Sequence, residues 1–73
     1  MTKQIQAAVQ RAIEHKGSQA ALGAAIKRSQ RWISKLARGE AVPSAEDAIK
    51  MEKATDGAIG RAHLRPDIFG AAE

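Results

Sequence analysis

From Ser18 to Gly39 the chain reads SQAALGAAIKRSQRWISKLARG, and the second half of that stretch strongly constrains the fold. At about 100° per residue along a helix, Gln30, Arg31, Ser34, Lys35 and Arg38 fall within one arc of about 140°, while Trp32, Ile33, Leu36 and Ala37 take the opposite side. No residue breaks the division. Such a helix must be held against a body by its apolar back while a cationic, hydrogen-bonding face stays in water. A short apolar helix precedes it, separated by the polar break Lys27-Arg28. A short helix, a tight turn and a second helix with an outward polar face match the layout of a DNA recognition element.

The charge distribution agrees with that layout. The 73-residue chain has a net charge of +4, but the total conceals an asymmetry. Up to Gly39, Lys3, Arg11, Lys16, Lys27, Arg28, Arg31, Lys35 and Arg38 face a single acid, Glu14. Beyond it, Lys50, Lys53, Arg61 and Arg65 are outnumbered by acids. A cationic field concentrated on one part of a small protein attracts polyanions. A chain of this length is one small domain with a core small enough that dimerisation or regular helix packing would help it. Without cysteine there is neither a disulfide framework nor a thiolate metal site. No apolar run reaches the length of a membrane span or a signal peptide, so the expectation is a cytoplasmic protein, nucleoid-associated when bound.

Read in order, helix one runs from about Lys3 to Lys16, with Thr2 as N-cap and Gly17 as its stop. Ile5, Ala8, Val9, Ala12 and Ile13 recur at helical spacing as its buried stripe. Ser18 caps a second helix over Gln19–Ile26 that turns Leu22, Ala25 and Ile26 inward. Gly23 there costs about 1 kcal/mol relative to alanine, which points to a close backbone crossing. Ser29 caps the third helix and Gly39 ends it. Pro43, Ser44, Glu46 and Asp47 suit the opening of a fourth helix, with Ala48, Ile49 and Met51 on its apolar side and Thr55-Asp56-Gly57 at its end. Pro66 and Gly60 forbid a long helix in the tail. The tail therefore reads as a turn, one helical turn over Ala62–Arg65, and an apolar clip at Ile68-Phe69, with residues 70–73 frayed beyond a single 1–69 domain.

On the outer face, Gln30 suits a bidentate bond to adenine, Arg31 and Lys35 donate to guanine, and Ser34 serves either. Gln19, Lys27, Arg28, Ser29 and Arg38 are the expected phosphate contacts, Gln19 because a helix N-terminus favours anions. Trp32, on the inner edge of the helix, reads as a packing or dimer residue and not a base contact. His15 sits in the last turn of helix one. Neither it nor His63 belongs to a metal-ligand pattern.

The segment Gln19–Leu36 resembles the helix-turn-helix of lambdoid phage repressors and Cro proteins, whose pattern is matched by Gln19, Leu22, Gly23, Ile26, Ile33 and Leu36. Through GSQAAL, the VP before helix four, MEKATDGAI and RPDIF, nearly the whole chain resembles the YdaS-type Cro/CI-like regulators, sometimes called antitoxins. That resemblance implies an all-α, lambda-repressor-like domain of four to five helices, with Leu22, Gly23, Ile26, Ile33 and Leu36 as the helix-turn-helix core. It also implies prophage origin and operator binding as a dimer. Two positions depart from the pattern. Lys27 stands where the family has a turn glycine, at a strain cost. Trp32 replaces a small residue, so the packing behind the third helix must differ.

The leading expectation is a sequence-specific regulator of transcription, a repressor bound to a double-stranded DNA operator. The competing one is an antitoxin or interaction module that neutralises a protein partner, a toxin, through the C-terminal half. No nucleophile–base pair, histidine–carboxylate cluster or phosphate-cradling loop suggests an enzyme or a cofactor. Single-stranded RNA would need more stacking surface than Trp32 and Phe69 offer. A homodimer is expected to use Ile59, Leu64, Ile68 and Phe69, the alternative being that these residues close the core of one chain.

Overall fold

Six helices and no strand make up residues 2–70, the part of the chain that the computed structural model describes. They are α1 (Thr2–Lys16), α2 (Gln19–Ile26), α3 (Gln30–Ala37), α4 (Ala45–Ala54), α5 (Arg61–Leu64) and α6 (Pro66–Phe69). None is long and apolar enough to cross a membrane.

α1 contributes Ile5, Ala8, Val9 and Ala12 to the core, with Ile13 at its margin, as helical spacing predicts. α1 starts at Thr2, and the side chain of this expected cap lies outside what the structure describes. Gly17, at φ +103°, ends the helix by donating its N–H to the Ile13 carbonyl. Two residues later α2 starts, with the Ser18 hydroxyl accepting from the Ala21 N–H at 3.0 Å. Leu22 and Ile26 are fully buried, whereas Ala25 lies exposed, contrary to expectation. Only one narrow face of this two-turn helix meets the core, and Leu22, Gly23 and Ile26 fill it.

The core joins that face to Ile33 and Leu36 of α3, Ala48 and Met51 of α4, and Ile59 and Leu64. α4 starts with a reciprocal cap: Ser44 Oγ accepts from the Asp47 N–H at 3.1 Å, and Asp47 Oδ2 accepts from the Ser44 N–H at 3.3 Å. Thr55 ends the helix inside the protein, donating to the Met51 carbonyl and accepting from the Ile59 N–H. That bond turns the chain so that α5 packs on α1 and α4.

Two expectations about the tail need correction. The apolar clip is a sixth helix of one turn, because Pro66 stands at its first position, where a missing N–H costs nothing. Ile59 and Leu64, expected at a dimer interface, are 4% and 0% exposed within the single chain. Both close the monomer core and offer nothing to a second copy. Ile68 remains 47% exposed, and Phe69 is half-buried with the Arg61 guanidinium 5.5 Å from its ring centroid. Gly70 ends α6 with φ +81°, and the rest of the segment expected to fray, residues 71–73, lies outside the described residues.

Candidate nucleic-acid interface

α2 and α3 are joined by Lys27, Arg28 and Ser29. Lys27 carries the change of direction at φ 60°, ψ 44°, the left-handed conformation that glycine adopts without cost. The strain expected of this lysine is therefore real. The turn folds tightly against Gly23, where an added Cβ would lie 2.7 Å from the Arg28 carbonyl oxygen and 3.6 Å from the Gln30 nitrogen. The close crossing inferred at Gly23 is thus made mainly by the turn and the first residue of α3.

Ser29 starts α3 by accepting from the Trp32 N–H at 3.1 Å. Ile33 and Leu36 bury its inner side. Gln30, Arg31, Lys35 and Arg38 are exposed on the other side with Ser34 between them, and Gln19 of α2 joins Gln30, Arg31, Ser34 and Arg38 around one shallow polar groove. The residues expected to read bases thus share one surface. Lys27, Arg28 and Ser29 are exposed on the turn that leads into α3, and Lys27 lines a separate groove with Lys50 and Lys53 of α4.

Both ends of α3 are tied to other helices. At its C-terminal end, Gln6 and Gln10 of α1 each donate an amide N–H to the Ala37 carbonyl at 3.0 Å, satisfying an end group that has no partner within the helix. Gly39, at φ +76°, lies so close to Gln6 that a Cβ would be 3.0 Å from its amide oxygen. Near its N-terminal end, the Trp32 indole N–H donates to Asp47 Oδ2 of α4 at 3.0 Å. The packing role expected of Trp32 is confirmed, and its partner is a buried carboxylate. Sequence reasoning missed Gln6, Gln10 and the role of Asp47. Nothing marks two glutamines on a helix as anchors, but Ser44 followed three residues later by Asp47 is a legible capping signature.

Folding also edits the charge pattern. Arg38, an expected phosphate contact, donates to Glu40 Oε2 at 2.7 Å and to Ser34 Oγ. Its hydrogen bond and charge hold the Glu40 carboxyl below its ordinary range. Arg28 lies 3.6 Å from Asp47 Oδ1, with its guanidinium 4.7 Å from the Trp32 ring centroid. Hydrogen bonds from Arg61 likewise lower the Glu52 carboxyl, and those from Arg65 lower Asp67. Among the described residues, the lysines and arginines outside these ion pairs and the Lys50–Glu46 pair are Lys3, Arg11, Lys16, Lys27, Arg31, Lys35 and Lys53. All but Lys53 belong to α1–α3 or the turn. The described residues hold no cluster of metal-ligating side chains.

The comparisons with known proteins can be set beside this geometry. A family model described as bacterial toxin YdaS matches residues 9–73. The chain belongs to the YdaS family. The match takes in the second half of α1 and every later helix, so the α2–turn–α3 unit and the capped α4 both lie within the family's extent. No curated protein and no solved structure matches the chain.

Proposed function

We propose that this YdaS-family chain is a sequence-specific, double-stranded DNA-binding regulator of transcription, with α2–turn–α3 acting as a helix-turn-helix of the lambda-repressor type. The observation that carries this reading is the surface of α3, where Gln30, Arg31 and Ser34 line a shallow groove and Lys35 is exposed on the same helix, while the helix is pinned at both ends. Rigid presentation of such donors suits the major groove, where arginine or lysine pairs with guanine and glutamine with adenine. Gln19, Lys27 and Ser29 would meet the backbone on either side of that helix. Arg38 would join them by exchanging Glu40 for a phosphate.

Selection of bound duplexes from a random pool, followed by titration of the preferred site, tests the proposal. Gln30→Ala and Arg31→Ala should each cost about 1–3 kcal/mol on that site and relax preference at one or two base pairs. Affinity should fall steeply with salt through counterion release. A pool that yields no enriched sequence and no duplex binding sinks the reading.

The second reading is an antitoxin or interaction module that neutralises a protein partner; the family's description as a toxin puts the chain in a toxin family and names no target. Its site would lie in the C-terminal half, on exposed Ile68 and half-buried Phe69, because Ile59 and Leu64 are committed to the core. Under that reading Ile68→Asp would abolish binding of the protein partner and Arg31→Ala would leave it intact.

A further inference from the structure

Asp47 is the one buried acid among the described residues, 1% exposed, and it lies on a helix that takes no part in the proposed DNA face. A carboxylate removed from water is costly unless hydrogen bonds and a counter-charge compensate it. Its contacts serve both its own helix and the elements beside it. Oδ2 accepts from the Ser44 N–H, which fixes the start of α4, and from the Trp32 indole N–H at 3.0 Å, which fixes the first turn of α3. Oδ1, also buried, accepts no hydrogen bond and faces Arg28 Nη1 at 3.6 Å. The Arg28 guanidinium is thus held between the carboxylate and the Trp32 ring, with its side chain 39% exposed.

We propose, resting on the duplex-binding reading above, that Asp47 is a positioning residue for the DNA-facing helix and that it withholds Arg28 from phosphate. Through Trp32 and Arg28 it sets the angle at which α3 leaves the turn, opposite the pair of glutamine bonds that holds the other end of the helix. Arg28, although cationic and exposed, is a strut between the turn and α4. Its charge is spent on the buried carboxylate, since a phosphate taking the guanidinium would leave Asp47 Oδ1 buried beside no cation.

Ion counting separates this role from a phosphate contact. The slope of log affinity against log salt concentration falls by about 0.9 for each phosphate interaction removed. Measured on the preferred duplex and on random DNA, Arg28→Ala should leave that slope at the wild-type value. It should also reduce the ratio of specific to random affinity about tenfold, the worth of one misread base pair. Asp47→Asn keeps an oxygen for Trp32 and Ser44 but releases Arg28, so the slope should steepen by about 0.9. Trp32, the single tryptophan, should become more accessible to acrylamide in both variants. Should Asp47→Asn not fold, Arg28→Ala decides alone. A slope that drops by about 0.9 in Arg28→Ala, as it should in Lys35→Ala, makes Arg28 a phosphate contact and overturns the proposal. An unchanged specificity ratio in that variant overturns the positioning role. Absence of duplex binding by the wild-type chain overturns the regulator reading and this proposal with it.

Discussion

α1 to α3 and α4 to α6 are built on opposite uses of charge. In the second group every arginine is consumed: Arg61 clamps Glu52, and Arg65 bonds Asp67 and the Pro43 carbonyl, tying the tail to the loop before α4. In the first group most cations stay free, and the acids that come closest to the α3 surface, Glu40 and Asp47, are supplied by the chain that follows α3. The lesson is a division of labour. The acid-rich segment serves as scaffold, and its surplus carboxylates trim and brace a basic surface presented by the other half.

The hardest test of that division is whether Leu64 is scaffold or interface. Leu64→Ala should lower unfolding free energy by about 2–5 kcal/mol in urea titration, independently of protein concentration. Concentration-dependent stability in the wild type that this variant abolishes would return Leu64 to an interface.

Gly23→Ala probes the seam on the basic side. Alanine favours a helix by about 1 kcal/mol, but a Cβ 2.7 Å from the Arg28 carbonyl forces the turn to move, at a cost of about 1–3 kcal/mol. Net destabilisation together with weakened duplex binding is the expected result; a stabler protein that binds equally well would show that the turn is soft.

Acid titration sharpens the scaffold side. The Glu52 and Asp67 carboxyls are held below their ordinary values by Arg61 and Arg65, so their contribution is complete above about pH 4.3 and is lost as pH falls further through the lowered folded values. Stability should therefore be flat from neutrality to about pH 5 and decline below about pH 4. Glu52→Gln should flatten part of that decline.

The smallest effect is expected at Lys27. Replacing it by glycine relieves a left-handed residue, so stability should rise by less than about 1 kcal/mol, while duplex affinity at low salt should fall with the loss of a cation. Opposed changes of this kind would identify Lys27 as a residue whose charge outweighs its strain. If both quantities rise, the lysine is not facing DNA.

How far each element could be read in advance follows the range of the forces that make it. Caps at Ser18, Ser29 and Ser44, the stripe of α1 and the two-sided pattern of α3 are written in residues a turn apart, so periodicity and capping chemistry located four helices and the exposed polar face. Ala25 faces water against expectation, and Ile59 could be read as core or interface, because which side of a short helix or loop meets the core depends on neighbours distant in sequence. The restart of the helix at Pro66 was missed for a different reason: proline breaks a helix or opens one, and only the chain's direction on either side tells which.

Fold, therefore, was determined largely by the order of residues, through local hydrogen bonds and the burial of evenly spaced apolar groups. The electrostatics of the candidate site was decided only in three dimensions. Asp47 follows Trp32 by fifteen positions, and no spacing rule joins them. The contact exists because α2 packs on both α3 and α4, which brings the first turns of those two helices together and sets a carboxylate against an indole and a guanidinium that also touch each other. Counting charges along the chain assigned Arg28 and Arg38 to an uninterrupted basic face; packing set Arg28 against Asp47, because a carboxylate in the core must find its opposite within the fold, whereas Arg38 pairs at the surface with Glu40, two residues on.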